Sequence, residues 1–321
     1  MKNIAILTGG DSAERVISLQ SGQVVADHLP KDRYAVFQID IEGASWKDRE
    51  TGIQIDKNDF TLPLPDGEKI HFDCAFAALH GSPLEDGKMQ GYFDMLGLPY
   101  TCCDGYVSGL TMNKYHSKMY VAPFGVPVAK SVLLHRGESV DTDRLLELGL
   151  PLFVKPNTHG SSFGVTKVKT AAELLPAIEA VWPYDSEALV EAFMDGREFS
   201  NGVLRVNGEV VAMPVTEIIP ETEFFDFAAK YEGRSQEITP ANIPDALTQQ
   251  CQERSRQLYD MLHCSGVVRF DYILVGDTFH FLEANTIPGI SPASIVPQQA
   301  QAHGWPLGEF FSLLIEEAMR Q

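Results

Sequence analysis

The amino-acid sequence predicts an α/β protein of three units, the first of them built on a parallel sheet. Three observations support this fold class. Short apolar runs alternate with helical segments over the first hundred residues, the order typical of a parallel sheet flanked by helices. A second series of strands and helices follows, and the last third ends in a strand hairpin and two helices. At 321 residues the chain is long enough for two or three domains with a substantial core.

The first unit, residues 1–103, begins with a buried strand at Ile4–Thr8 and a Gly9-Gly10 turn. A helix is expected over Ser12–His28, because apolar residues recur at helical spacing. Further strands are expected at Ala35–Ile41 and Cys74–Leu79, and Pro99 closes the unit. The sequence therefore predicts a sheet with helices on its faces.

The second unit, residues 104–187, is entered through a helix expected at Ser108–Tyr120. Strands are expected near Val128–Leu134, Leu152–Lys155 and Gly164–Val168, and helices near Thr142–Leu148 and Ala171–Val181. The third unit, residues 188–321, has three strand-like runs, a helix expected at Asp245–His263, a hairpin and two terminal helices. The polar, aromatic insertion at 217–241 is too long and irregular for a plain connector, which favours a mobile lid.

Composition limits the class of function. A hydrophobic content of 44% and a charged content of 21% are those of an ordinary globular protein, and no run of residues is apolar enough to span a membrane. The first ten residues lack the pattern of a signal peptide, so we expect a cytoplasmic protein. The net charge of −19 argues against nucleic acid or an anionic membrane as partner. The five cysteines are odd in number and lack CxxC spacing, so we expect reduced thiols.

The stretch VVRFDYILVGDTFHFLEANTIPG at 267–289 is the most informative part of the chain. A three-residue connection would place Asp271 opposite Glu283 and Arg269 opposite Asn285, whereas a two-residue turn would separate them onto opposite faces. We expect the first register, since carboxylates directly opposite each other are unfavourable unless a cation lies between them. Asp, Glu and an Asn carbonyl are hard oxygen ligands of the kind that Mg²⁺ takes beside substrate phosphates. Solvated surface carboxylates are the alternative, but apolar neighbours embed these residues.

Two further segments are typical of nucleotide binding. Lys155 ends a strand before the Gly/Ser loop NTHGSSFG, which could donate backbone N–H groups to phosphates. Taken alone, such a loop is equally often a plain turn. Glu191, followed by Ala192, Phe193 and Met194, could hold an adenine and a ribose, or could be a solvated edge strand. Neither a P-loop nor a GxGxxG fingerprint is present.

Taken together, these motifs resemble the ATP-grasp ligases, and specifically the D-alanine–D-alanine ligase family. Eight segments match in collinear order over nearly the whole chain, which makes the resemblance highly specific. They are GGDSAERVISLQSG at 9–22, HGSPLEDG at 80–87, MNK at 112–114, FVKPNTHGSSFGV at 153–165, EAFMDGREF at 191–199, AAKY at 228–231, RFD at 269–271 and LEANTIPGISPAS at 282–294.

The resemblance implies a three-domain ATP-grasp architecture with ATP between the central and C-terminal domains. It implies nucleotide contacts for Lys114, Lys155, Ser161, Glu191, Ala192, Phe193, Met194, Glu198 and Lys230. It implies two Mg²⁺ ions, or Mn²⁺, on Asp271, Glu283 and Asn285. It implies amino-acid substrate contacts for Glu14, His80, Arg269, Gly289, Ser294 and Ile295. The family also links Glu14, Ser161 and Tyr231 by hydrogen bonds, and it suggests a homodimer.

The implied reaction joins two D-alanine molecules with ATP through an acyl phosphate, for peptidoglycan precursor synthesis and so for cell-wall biogenesis and cell shape. Arg269 and the N–H of Gly289 are the candidate donors to the tetrahedral intermediate. A ligase with D-lactate or D-serine as acceptor, or a non-catalytic nucleotide-binding relative, is the alternative. Tyr231 favours D-alanine, and the intact hairpin residues speak against loss of catalysis. The chain departs from the family pattern at Leu84, Asn113 and Phe225.

Overall fold

Three larger sheets organise the protein, which a computed structural model describes over residues 1–12, 14–160, 163–220, 235–291 and 293–320. The mixture of sheets and helices confirms the predicted α/β class. None of the helices in these ranges is long and apolar enough to cross a membrane.

The first unit is a mainly parallel sheet. Its elements are β1 (Lys2–Gly9), β2 (Tyr34–Glu42), β3 (Ser45–Asp48), β4 (Leu62–Pro63), β5 (Lys69–Ile70), β6 (Cys74–Ala77), α1 (Arg15–His28) and α2 (Lys88–Leu96). The sheet has the order β3-β2-β1-β6, and β1 pairs in parallel with both β2 and β6. The side chains of β1 from Ile4 to Leu7 are fully buried, because both faces of a parallel sheet are covered.

A helix pair leads into the second unit, where the sequence predicted one helix. The chain forms α3 (Gly105–Met112) and α4 (Lys114–Val121), followed by a short 3-10 turn at Ala122–Phe124. Asn113 leaves the helical conformation between them, and its side-chain oxygen accepts a hydrogen bond from the N–H of His116 at 2.8 Å. The single helix at Ser108–Tyr120 is therefore wrong, because an N-cap residue starts a new helix inside that range.

The second unit is an antiparallel sheet. Its elements are β7 (Ser131–His135), β8 (Leu152–Pro156), β9 (Thr166–Val168), β10 (Glu187–Ala192), α5 (Thr142–Leu146) and α6 (Ala171–Glu179). The order is β7-β10-β8-β9. Because β10 hydrogen-bonds to β7 on one side and to β8 on the other, the expected boundary at 187/188 cuts into a strand of this sheet. We propose that the second unit extends to Ala192.

The third unit is a larger antiparallel sheet covered by helices. Its elements are β11 (Arg197–Val206), β12 (Glu209–Ala212), β13 (Thr216–Pro220), β14 (Ser235–Ile238), β15 (Val267–Val275), β16 (Thr278–Asn285), α7 (Asp245–Met261), α8 (Ile295–His303) and α9 (Leu307–Ala318). The order is β14-β13-β11-β15-β16, with β12 paired to the other end of β11.

The ends of the expected insertion at 217–241 belong to this sheet. Strand β13 pairs with β14 from Glu217 opposite Ile238 to Pro220 opposite Ser235. The segment 221–234 between these strands lies outside the described residues. The lid hypothesis therefore applies to a segment shorter than the insertion at 217–241 that the sequence indicated.

One hydrophobic core is shared by the first and third units, and residues 134–190 of the second unit form another. Helices α3 and α4 pack with the third sheet, and the first unit has a further core on the other face of its sheet. Strands β1 and β6 contribute to the shared core together with β11, α8 and α9. Phe311 of α9 is fully buried there, with its ring centroid 5.7 Å from that of Phe76 and 6.4 Å from that of His28. The core of the second unit draws its buried residues from 134–190 alone. The five cysteines are buried free thiols.

Candidate active site

The hairpin of β15 and β16 brings together the residues on which the sequence argument rested. Arg269 lies opposite Asn285, and Asp271 lies opposite Glu283, which is the expected register. A neighbouring strand also contributes, because the hydroxyl of Ser200 on β11 donates to Asp271 at 2.6 Å.

The expected three-residue turn was wrong, although the register that it was expected to set is present. Val275 pairs with Thr278, so the turn has only two residues, Gly276-Asp277. A β-bulge beside Asp271 then adds Leu282 to β16 as an unpaired residue and restores the register that the short turn would have shifted. Leu282 and Glu283 consequently both line the same cavity.

Two cavities meet at this hairpin. The first has a volume of about 450 Å³ and the second of about 470 Å³, and Lys114, His159, Gly160 and Glu283 line both. The first cavity is lined by Glu14, His80, Glu85, Arg269, Asn285, Gly289, Ser294 and Ile295, among others. The second is lined by Lys155, Glu191, Ala192, Phe193, Met194, Glu198 and Asp271, among others. The residues that the resemblance implied for the amino acid substrate line the first cavity, and Lys155, Glu191 to Met194 and Glu198 line the second. The proposed metal ligands are divided, since Asn285 lines the first cavity, Asp271 the second and Glu283 both.

Arg269 lines the first cavity as a cation, as Lys114 also does. Its guanidinium donates two hydrogen bonds to Asp271, at 3.0 and 2.8 Å. Burial lowers the pKa of Arg269, but the carboxylates of Asp271, Glu283 and Glu237 outweigh burial and hold the pKa above its usual value. Arg269 therefore remains a fixed positive charge against the wall of the cavity.

Two lysines and Arg197 line the second cavity as cations. The ammonium of Lys114 lies 3.3 Å from Glu283 and donates to the carbonyl of His159 at 3.0 Å. Lys155 forms an ion pair with the buried Glu191, and Lys118 pairs with the other oxygen of the same carboxylate. Sequence reasoning missed Lys118, although it lies one helical turn after Lys114 on α4 and so could have been found from the i, i+4 spacing.

His80 joins the first unit to the third. Its Nδ1 lies 3.0 Å from the carbonyl of Ile287, and its Nε2 lies 3.0 Å from the hydroxyl of Ser21. A carbonyl only accepts, so Nδ1 carries the proton and Nε2 accepts from Ser21. Burial lowers the pKa of His80, which is consistent with this neutral ring.

Glu85 is a second residue that sequence reasoning missed. It lines the first cavity beside Glu14, and its carboxylate accepts the N–H of Gly81 at 2.9 Å. Burial, reinforced by the charge of Glu14, raises the pKa of Glu85 to about 8. The sequence signal that could have identified Glu85 was its position in the segment HGSPLEDG.

Gly289 and Ser294 also line the first cavity. A Cβ on Gly289 would lie 2.9 Å from the hydroxyl oxygen of Ser294, so a larger residue at this position would displace the Ser294 side chain. Ser294 in turn lies 2.8 Å, oxygen to oxygen, from the hydroxyl of Ser291. A Cβ on Gly160 would lie 3.2 Å from Glu14, which brings the Gly/Ser loop of the second unit against the first.

The predicted metal ligands present a fitting set of oxygen donors. Asp271 and Glu283 lie side by side on the hairpin, and Asn285 adds an amide oxygen that accepts the N–H of Ile287 at 3.3 Å. Across the described ranges, no group of three or more His, Cys, Asp or Glu side chains forms a candidate metal site. Two carboxylates and an amide suit Mg²⁺, which takes few protein ligands when substrate phosphates supply others.

Some predictions fall outside the described residues. Ser161, Lys230 and Tyr231 do so, and so does the departure at Phe225. Of the other departures, Leu84 is fully buried in the core of the first unit, and Asn113 caps α4 as an aspartate would.

Family models and curated relatives match this chain over most of its length. The family model described as D-ala D-ala ligase N-terminus matches residues 3–103, and the one described as D-ala D-ala ligase C-terminus matches residues 120–316. The D-alanine–D-alanine ligase of Flavobacterium johnsoniae is 47% identical, covering 98% of this chain and 99% of its own length. The corresponding ligase of Phocaeicola vulgatus is 42% identical, covering 98% of each chain.

Solved structures share the fold. The VanG D-Ala:D-Ser ligase of Enterococcus faecalis superposes with a TM-score of 0.87 at 31% identity, covering 99% of each chain. The D-alanine–D-alanine ligase of Bacillus anthracis in complex with ATP has a TM-score of 0.82 at 28% identity, covering 100% of this chain and 98% of its own.

Proposed function

The chain belongs to the D-alanine–D-alanine ligase family, and we propose that it joins two molecules of D-alanine with ATP to give D-alanyl-D-alanine, ADP and phosphate. One observation carries this proposal. A cavity of about 450 Å³ lined by Glu14 and Arg269 meets a lysine-lined cavity of about 470 Å³ at Lys114 and Glu283. A carboxylate in the first cavity can thereby approach a terminal phosphate in the second.

The first step activates a carboxylate. An oxygen of the first D-alanine attacks the γ-phosphorus of ATP, the bond to the β-phosphate oxygen breaks, and ADP leaves. Phosphoryl transfer needs positioning and charge neutralisation more than covalent help. Lys114 and Lys155 supply that charge at the cavity, and Lys230 is the proposed third lysine near the γ-phosphate. Glu191 and Glu198, with Ala192 to Met194, would hold the adenine and ribose.

The second step forms the amide. The amine of the second D-alanine attacks the acyl carbon of the acyl phosphate, and inorganic phosphate leaves as the tetrahedral intermediate collapses. Arg269 and the N–H of Gly289 would donate to the oxyanion of that intermediate. We propose that Glu14 receives the ammonium of the first D-alanine, that His80 helps to shape its site, and that Ser294 and Ile295 contact the second. A hydrogen-bonded set of Glu14, Ser161 and Tyr231 is supported by the approach of Gly160 to Glu14.

We propose that Asp271, Glu283 and Asn285 hold two Mg²⁺ ions, for which Mn²⁺ could substitute. The ions would neutralise charge on the β- and γ-phosphates during transfer. Their binding would compete with the cations that now face these carboxylates, Arg269 at Asp271 and Lys114 at Glu283. Chelation by EDTA should therefore abolish ADP formation, and added Mg²⁺ or Mn²⁺ should restore it.

We also propose that the ligase works in the cytoplasm as a homodimer, supplying a peptidoglycan precursor for the cell wall and cell shape. D-alanine is the proposed acceptor, because the dipeptide-forming members of the family carry tyrosine at the position of Tyr231. D-serine is the second candidate, because the solved VanG neighbour is a D-Ala:D-Ser ligase. D-lactate is the third.

Phosphate release from Mg·ATP across a panel of D- and L-amino acids and D-lactate tests the proposal. We expect turnover with D-alanine alone in the panel, and D-alanyl-D-alanine as the product by mass spectrometry. Faster turnover with D-alanine plus D-serine than with D-alanine alone would show that D-serine is the preferred acceptor. Absence of turnover with every D-amino acid would refute the ligase.

A further inference from the structure

Lys118 is buried in contact with a carboxylate, and it lies behind the nucleotide cavity. It is 1% exposed, on α4 one turn after Lys114. Lys114 and Lys155 line the second cavity, whereas Lys118 is outside the lining of both cavities. A lysine is seldom this buried without a specific partner.

That partner is Glu191, which itself is only 4% exposed. Its two carboxylate oxygens are divided between two lysines: Oε1 pairs with Lys118 and Oε2 pairs with Lys155. Glu191 thus has one cation on the cavity side and one on the protein side. The paired arrangement is consistent with the strong cost of burying a carboxylate alone.

Lys118 brings a third amino group to a region where Lys114 pairs with Glu283 and Lys155 pairs with Glu191. In a protein of net charge −19, an added cation behind this cavity favours a polyanionic ligand.

Burial, together with the neighbouring charges of Lys155 and Lys114, lowers the pKa of Lys118. The directly contacting carboxylate of Glu191 opposes that shift, and so would a bound triphosphate, since both favour the ammonium form.

We propose that Lys118 is a positioning residue for nucleotide binding, which neutralises Glu191 from behind so that the charge of Lys155 remains directed at the phosphates. The inference rests on the proposed function, because it assumes that the second cavity takes ATP. It predicts that Lys118 influences the recognition of phosphate more than that of the nucleoside.

Equilibrium binding of Mg·ATP, Mg·ADP and adenosine to the wild type and to Lys118→Met separates this role from a merely structural one. Because Lys155 would be drawn onto an otherwise unpaired Glu191, we expect the Kd of Mg·ATP to rise about tenfold, equivalent to one lost charge contact. The Kd of adenosine should change less than about twofold. Lys118→Arg should restore ATP binding, and Lys2→Met, which removes an exposed lysine paired with Asp73, is the control for charge loss.

The variant Lys118→Gln keeps the test open where Lys118→Met fails to fold. It retains a hydrogen-bond donor to Glu191 without the charge, so we expect the Kd of Mg·ATP to rise relative to that of adenosine, as in Lys118→Met. Equal weakening of ATP and adenosine in Lys118→Met, or no change in either, would overturn the inference. A wild type that binds no ATP would instead refute the proposed function together with it.

Discussion

Arg269 has two roles that a single substitution tests together. It holds Asp271 through two hydrogen bonds, and it faces the cavity where we place the acyl carbon. Its fixed charge follows from the surrounding carboxylates, which hold its pKa high despite burial. An arginine at this point is suited to stabilise an oxyanion that exists only during the reaction.

Arg269→Ala should therefore abolish peptide formation while the protein stays folded. Loss of one oxyanion donor typically lowers kcat by about 10²–10³-fold. Steady-state phosphate release measures the loss, and circular dichroism checks the fold. Arg205→Ala is the matched control, because Arg205 pairs with Asp260 away from both cavities. An unaltered rate in Arg269→Ala would contradict the assignment.

Glu85 makes a prediction about pH. Its pKa is raised from 4.5 to about 8 in the folded protein, chiefly by burial and then by Glu14. A raised folded pKa means that the stabilising contribution is complete below pH 4.5 and is lost as the pH rises toward 8. Glu85→Gln cannot ionise, so the variant should gain stability relative to the wild type as the pH rises from 5 toward 9.

Urea unfolding at several pH values between 5 and 9 measures this difference in unfolding free energy. Glu68→Gln, which removes an exposed carboxylate, is the control. Parallel pH curves for Glu85→Gln and the wild type would show that Glu85 is ionised in the folded state throughout this range.

At the scale of elements, the β15–β16 hairpin shows how a short turn and a bulge combine. The two-residue turn alone would have moved Glu283 to the opposite face from Asp271. The bulge at Leu282 restores their alignment and adds an apolar side chain to the nucleotide cavity. The functional register is therefore a property of the whole hairpin and not of its turn.

The N-cap of α4 is a second local feature that positions functional side chains, because this helix carries both Lys114 and Lys118. Asn113→Ala should cost about 1 kcal/mol of stability, as lost N-caps do. It should also raise the KM for ATP, because the first turn of the helix positions Lys114. Asn113→Asp should leave both quantities close to the wild type.

Thermal unfolding and the KM for ATP are the two measurements. Asp141→Ala removes the corresponding cap of α5, where Asp141 accepts the N–H of Arg144 at 3.1 Å, and α5 carries none of the cavity lysines. It should lose similar stability with an unaltered KM. A KM for ATP that rises equally in Asn113→Ala and Asp141→Ala would contradict the role given to Asn113.

At the scale of the whole molecule, one hydrophobic core joins two units that are not neighbours in the sequence. The first and third units share a core through α9, and α3 and α4 pack with the third sheet, whereas residues 134–190 of the second unit have a core of their own. The nucleotide cavity lies where these two bodies meet, with Lys155 on one and Asp271 on the other. Separate cores are the arrangement expected of parts that open and unfold independently.

Phe311→Ala and Leu174→Ala should distinguish the two bodies. Each side chain is fully buried, Phe311 in the shared core and Leu174 in that of the second unit. The expected costs are about 3–5 kcal/mol for the phenylalanine and about 2–5 kcal/mol for the leucine. Hydrogen exchange should accelerate in β1 and β11 for Phe311→Ala, and in β8 and β10 for Leu174→Ala. The same exchange pattern in both variants would show one cooperative body.

The sequence by itself determined the α/β class, the parallel first sheet and the family, because strand alternation and collinear motifs are local signals. It predicted the pairing of Asp271 with Glu283 from a three-residue turn that the structure does not have. Only the tertiary structure decided the bulge at Leu282, the sharing of Glu191 by two lysines and the raised pKa of Glu85. These depend on burial among side chains far apart in sequence, such as Lys118 and Glu191, which no local pattern records. Long-range packing sets the dielectric surroundings and therefore decides which charges are paired and which protons are held.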